Sequence, residues 1–150
     1  MADCIFCQIA HGEVPAPLVL EDETAVAFLD HRPVFLGHTL LIPRLHVATL
    51  MDLPPELVGP LFERARLLAR AIQEALEADG IFVGINNRVS QSVPHLHVHI
   101  VPRTRGDGLK GFFWPRRKYE SQAAMAATAA RIRQALARAA GPAGGGADAP

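Results

Sequence analysis

The stretch His95-Leu96-His97-Val98-His99-Ile100-Val101 constrains this chain more than any other part of it. Histidine and aliphatic residues alternate there at strict period two, the pattern of a β-strand whose two faces meet different surroundings. Leu96, Val98 and Ile100 share a face that suits an apolar layer, and His95, His97 and His99 share the other. A solvated strand face more often carries Lys, Glu, Thr or Arg. Three imidazoles on one face therefore point to chemistry or metal binding.

The rest of the chain supplies a domain able to carry such a strand. Its 150 residues are 49% hydrophobic and 20% charged, enough for a buried core without disulfide staples. Fifteen basic and fifteen acidic residues cancel, so no nucleic acid or membrane partner is expected from net charge. The charges are segregated, however. Residues 1–30 hold six acids and no Lys or Arg, whereas 102–118 hold Arg103, Arg105, Lys110, Arg116, Arg117 and Lys118 against Asp107 alone, which suits a local anionic ligand. No apolar run approaches the roughly 20 residues of a bilayer span, and the N-terminus lacks the basic-then-apolar order of a signal segment; a cytoplasmic protein is expected. Cys4 and Cys7 lie too close to frame a secreted fold, so metal or redox chemistry is the better expectation for them.

In chain order, Gln8 to Gly12 suits a short helical turn, and apolar runs at Leu18 to Glu21 and Thr24 to Leu29 flank the acidic Asp22-Glu23 turn of a hairpin. A strand is expected over His38 to Pro43, with His38 and His46 near its two ends. Asp52-Leu53-Pro54-Pro55-Glu56 signals a helix start, and Leu57, Leu61, Ala65, Leu68, Ile72 and Leu76 give one apolar stripe on a helix running to about Asp79, ended by Gly80. Ile81 to Ile85 is a further strand, and the polar loop 86–92 precedes the histidine strand. Phe112-Phe113-Trp114 forms an aromatic patch in the basic segment, and residues 121–140 form an alanine-rich helix. The organisation expected is α+β: one domain over 1–140, with a largely antiparallel five-stranded sheet, one long central helix and a C-terminal helix, then a disordered Gly/Ala/Pro tail at 141–150.

A neutral imidazole can attack an electrophile without a separate base. Phosphorus is the favoured target, because Ser92, the backbone N–H groups of the 86–92 loop and a second histidine can neutralise charge on transferring oxygens. No acidic cluster for magnesium is apparent in the sequence.

These residues resemble a known family. His95 to Val101 is similar to the His-x-His-x-His-x-x motif, with hydrophobic x, of the histidine triad (HIT) superfamily. The resemblance extends to Gln91-Ser92-Val93, to Gly37 through His46 and to Cys4-Ile5-Phe6-Cys7, covering roughly residues 4–118. It implies a HIT-like fold and nucleotidyl transfer through a covalent intermediate on His97. His99 would bind and polarise the phosphate, His38 would lie in the surrounding histidine network, and Ser92 would donate to the phosphate or leaving group with Asn86 and Gln91 close by. Asp30 would hold the ribose hydroxyls, and Ile5, Phe6 and Phe28 would wall the base. His99, where transferase branches carry Gln, places the chain with hydrolases and phosphoramidases.

Cys4, Cys7, His46 and His95 resemble the structural Zn2+ site of bacterial members, with no catalytic metal required. The resemblance further implies a homodimer acting on a purine nucleotide with an AMP-type product. Alternatives are a diadenosine polyphosphate hydrolase, with segment 103–118 holding the longer phosphate tail, a non-catalytic nucleotide-binding regulatory protein, and a redox protein using Cys4 and Cys7. One departure from the family stands out: the 86–91 loop lacks the glycines usual there and reads Asn87-Arg88-Val89-Ser90.

Overall fold

Asp22 builds the first turn. Its Oδ1 accepts from the N–H groups of Thr24 (2.8 Å) and Ala25 (3.0 Å), closing the expected hairpin between β1 (Leu18–Glu21) and β2 (Ala25–Leu29). In this computed structural model, which describes residues 4–109 and 117–139, five strands form one antiparallel sheet in the order β1-β2-β3-β5-β4. The α+β architecture expected from the sequence is the one found. Strand β3 is Thr39–Pro43, β4 is Gly80–Gly84 and β5 is Val98–Arg103.

Strands β2 and β3 are apolar without alternation because both of their faces are covered. On one side Ala25, Ala27 and Leu41, with Leu96, Val98 and Ile100, pack against Leu61, Ala65 and Leu68 of α2 (Pro55–Ala75). On the other, Val26, Phe28, Leu40 and Ile42 pack against Phe6 and Ala10 of α1 (Ile5–Ala10). From Leu57 to Ile72 the stripe on α2 is a core face as expected, with Leu57 and Ile72 partly buried against it, whereas Leu76, expected to continue the stripe, follows the end of the helix and is largely exposed.

Three boundaries differ from expectation. Helix α2 stops at Ala75 instead of near Asp79, because Glu77 takes a left-handed conformation (φ 51°). The Ala78 N–H then reaches back to the Gln73 carbonyl (3.0 Å) and the Glu77 N–H to Glu74 (3.3 Å), a closing motif usually made by glycine, which leaves Gly80 free to open β4. Asp52 accepts from the N–H and hydroxyl of Thr49 (3.1 and 2.6 Å) around a 3-10 turn, Leu50–Asp52, instead of starting α2. Strand β5 begins at Val98, so His95 and His97 lie on the chain entering it. There the Leu96 N–H donates to the Val47 carbonyl (2.7 Å), a partner supplied by the segment after β3 in place of the ladder.

The chain divides into two compact units, residues 1–108 and 109–150. The second holds α3 (Gln122–Ala139), whose first turn is capped by Ser121 Oγ accepting from the Ala124 N–H (3.0 Å); none of its described side chains is buried. The aromatic patch Phe112-Phe113-Trp114, with Lys110 and Arg116, and the tail 141–150 lie outside the described residues. Among the described residues no helix is long and apolar enough to cross a membrane.

Gly37 delivers His38 to the start of β3. Its φ is +97°, outside the range of ordinary L-residues, and a Cβ there would lie 2.1 Å from Leu76 Cδ1. Leu76 is 49% exposed and can swing aside, but the backbone cannot relax without moving His38. Gly37→Ala is expected to lower stability by about 1–3 kcal/mol, measured as a shift of the urea unfolding midpoint at unchanged slope.

Candidate functional site

Backbone groups fix the tautomers of His97 and His38, and through His38 that of His99, because a carbonyl only accepts and an amide N–H only donates. His97 Nδ1 lies 2.7 Å from the His95 carbonyl and must donate to it, which leaves the His97 lone pair on Nε2. The Val34 N–H donates to His38 Nδ1 (3.1 Å), so the neutral His38 carries its proton on Nε2 and donates to His99 Nδ1 (2.9 Å). The His99 proton is therefore on Nε2, a buried atom that meets no hydrogen-bond partner among the described residues. The His97 and His99 rings stand 4.9 Å apart, centroid to centroid. One presents a lone pair and its neighbour an N–H.

Both rings line a cavity of about 290 Å3, near the lower end of small-ligand sites. Ile5, Phe6 and Ile9 of α1, Phe28 of β2 and the segment Val14 to Pro17 form its apolar walls. Its polar lining is Asp30, His31, Ser92, His97 and His99. Sequence reasoning missed Ile9, His31, Val93 and the Pro15-Ala16-Pro17 wall. The two prolines, which lack amide donors, were the only local signal for that wall.

Asp30 Oδ2 is 3.7 Å from His38 Nδ1, beyond hydrogen-bond range, and Asp30 Oδ1 instead accepts from the Arg32 N–H (2.8 Å). Burial, with the neighbouring His97 and His38, pushes His99 down to about 4 against a weaker upward pull from Asp30. Burial likewise lowers His38, with Asp30 opposing and His97 adding to the effect. Both are neutral at pH 7. The pair offers hydrogen bonds, not charge.

A second cluster adjoins the first. The Sγ atoms of Cys4 and Cys7 each lie 3.5 Å from His95 Nδ1, and Cys7 Sγ is 3.2 Å from His46 Nδ1. The four donor atoms are all within 4.8 Å of one another. His95 Nε2 donates to the Pro43 carbonyl (2.9 Å), which turns the Nδ1 lone pair toward the thiols. A tetrahedral ion bound to sulfur and nitrogen at about 2.0–2.3 Å has S···N edges of roughly 3.5 Å. The arrangement found can therefore hold a metal with little rearrangement. Without one, burial and the adjacent Cys4 push the Cys7 thiol up to about 11; a bound cation reverses that balance by favouring thiolate. Asp30, His38 and His99 also come close enough to share an ion, but the Val34 and His38–His99 hydrogen bonds already use their facing ring nitrogens.

His46 reaches this cluster because the segment after β3 is strapped to the 86–96 loop. Asn87 Oδ1 accepts from the Leu50 N–H (2.8 Å), and Gln91 Nε2 donates to the Ala48 carbonyl (2.6 Å) while its Oε1 accepts from the Arg88 N–H (2.8 Å). Gln91 is thus engaged in shaping the loop, and neither it nor the exposed Asn86 lines the cavity. Arg88 and Ser90 take φ values of +70° and +60°. The loop adopts the left-handed turns that glycine would ordinarily supply, and does so without glycine.

The chain is similar to known proteins in sequence and fold. Residues 11–106 match the model of the HIT domain family. The chain is 42% identical over 115 residues to Protein hit of Bacillus subtilis, covering 75% of this chain and 79% of that one. It is 38% identical over 109 residues to the adenylylsulfatase HINT3 of Arabidopsis thaliana, covering 71% of this chain and 55% of that one. The adenosine 5'-monophosphoramidase HNT1 of Saccharomyces cerevisiae is 35% identical over 102 residues, 68% of this chain and 63% of that one. A zinc-bound histidine triad family protein from Mycobacterium smegmatis superposes with a TM-score of 0.68 at 38% identity, covering 89% of this chain and 98% of that chain.

The buried neutral histidines set a pH dependence. An unfolded His99 takes a proton near its ordinary value of 6.5, while the folded one resists down to about 4, so the unfolded state binds more protons in between. Stability is therefore full above pH 6.5 and falls as pH drops toward 4, with His38 acting in the same direction. Urea midpoints between pH 7 and pH 4 are expected to fall less steeply in His99→Gln than in the wild type.

Proposed function

The chain belongs to the HIT family, and from that premise we propose that it is a nucleotide hydrolase of the phosphoramidase type, releasing a nucleoside monophosphate through a covalent nucleotidyl group on His97. One observation carries the reading: the His97 Nε2 lone pair and the His99 Nε2–H, which has no partner among the described residues, stand side by side at an apolar cavity.

In the first step the His97 Nε2 lone pair forms a bond to the α-phosphorus. The bond from phosphorus to the leaving nitrogen or oxygen breaks, and its electron pair leaves with that atom, which is then protonated. His97 keeps its Nδ1 proton throughout, and the His95 carbonyl stabilises the positive charge the ring gains. His99 donates to a phosphoryl oxygen, for which a neutral N–H suffices, and its preset direction requires no reorganisation as charge develops. Ser92, exposed at the cavity, donates to the leaving group or phosphate, and Asp30 takes the ribose hydroxyls. In the second step water attacks phosphorus, the P–N bond breaks, its pair returns to Nε2, and the monophosphate leaves with release of a proton. Ile5, Phe6 and Phe28 cover the base.

The relatives HINT3 and HNT1, named as an adenylylsulfatase and an adenosine 5'-monophosphoramidase, support a small adenylyl substrate. The names of these relatives lend a longer polyphosphate no comparable support, and Arg103 of the basic segment is paired with Asp107 (2.5 and 2.9 Å). Cys4, Cys7, His46 and His95 hold zinc in this reading, as supported by the zinc-bound relative and the donor set. Four protein ligands leave no open position, so the metal organises α1 and takes no part in the steps above.

His97→Ala is expected to lose at least about 10^3-fold in turnover of an adenosine phosphoramidate, and rapid-quench intact mass of the wild type is expected to show one nucleotidyl group located on His97. Turnover persisting in the variant overturns the covalent mechanism. Elemental analysis is expected to find one zinc per chain in the wild type and little in a Cys4→Ser, Cys7→Ser double variant; equal metal in both removes the metal assignment.

A further inference from the structure

Phe6 lies between the two thiols of Cys4-Ile5-Phe6-Cys7, is 7% exposed, and faces both clusters. Its ring stands edge-on to His95 at 6.0 Å and to His97 at 5.2 Å, with interplanar angles of 67° and 84°, and meets Phe28 at 5.4 Å. It therefore touches a ligand of the metal cluster, the proposed nucleophile and the opposite wall of the cavity.

What holds Phe6 there is α1, a helix of six residues that is too short to persist unaided. Its C-terminal end is fixed by Arg44, whose guanidinium donates to the Ala10 carbonyl and also to the carbonyl of Asp22 and the carboxylate of Glu21. Its N-terminal end has no side-chain cap, and there the thiols of Cys4 and Cys7 reach His46 and His95. A second connection runs through the backbone, because the carbonyl that fixes the His97 tautomer belongs to His95 itself.

We infer that Phe6 is a positioning residue through which metal held by Cys4, Cys7, His46 and His95 strengthens nucleotide binding at His97, and nucleotide in turn strengthens metal binding. The inference rests on the nucleotide reading given above. Metal fixes the first turn of α1, Phe6 holds the His97 ring and completes the base wall, and a bound nucleotide presses the same wall toward the thiols. The two sites share one short element that can carry the coupling, and thermodynamic linkage makes the coupling equal in both directions.

The test uses AMP and zinc. AMP affinity is measured by calorimetry on zinc-loaded and chelator-stripped protein, and zinc affinity by equilibrium competition with a chromophoric chelator, with and without saturating AMP. A tenfold or larger effect is expected in each direction, about equal in the two, within the range of known couplings. In zinc-loaded Phe6→Leu, which keeps an apolar side chain, the ratio of zinc affinities with and without AMP is expected to fall below about twofold. A wild-type effect below twofold overturns the coupling, and full coupling retained in Phe6→Leu overturns the role of Phe6. Zinc-loaded wild type that fails to bind AMP overturns the nucleotide reading itself, an outcome distinct from equal binding by the loaded and stripped forms.

Discussion

The site depends on the burial of three alternate residues. Leu96, Val98 and Ile100 are wholly buried against α2, each contributing roughly 1.5–3 kcal/mol. A slip of one residue would send all three to the opposite face and the histidines into the hydrocarbon layer, so the register is strongly specified. Strands β3 and β4 hold β5 from both sides and reinforce it. The same burial that secures the core thus fixes which face the histidines occupy. Their chemistry starts from positions that the apolar residues have already determined.

Position alone does not make the histidines differ. His95, His97 and His99 share one face, yet each presents a different ring atom to its surroundings. The Pro43 carbonyl accepts a hydrogen bond from His95 Nε2–H and leaves the Nδ1 lone pair for the thiols; the His95 carbonyl accepts from His97 Nδ1–H and leaves the Nε2 lone pair for the cavity. His99 receives its direction at one remove, through His38, from the Val34 amide. A motif uniform in sequence becomes three unlike groups because three unlike backbone environments meet it.

Much of this was legible in the sequence where the signal is local or periodic. The period-two histidines, the α2 stripe from Leu57 to Ile72 and the Asp22 turn each follow from a repeat or a short-range hydrogen bond. The family motifs named His46 as the partner of Cys4, Cys7 and His95 across long stretches of chain, which spacing alone did not do. What stayed hidden depends on contacts distant in sequence. Nothing local marks Arg88 and Ser90 as left-handed, since the loop that bends them is tied to Ala48 and Leu50. Glu77 ended α2 ahead of the glycine that looked like its stop. Arg44 gave no hint in sequence that it bridges α1 to the hairpin turn.

The groups that orient the rings belong to the main chain. Side-chain replacement at Val34 or Pro43 leaves an amide or a carbonyl where it was, and only proline at position 34 would remove a donor. The arrangement of protons is therefore insulated from most mutational drift at the residues that create it. Lineages can diverge around the histidines and still inherit the same division of labour, because it is passed on with the course of the backbone and not with the identity of the neighbours.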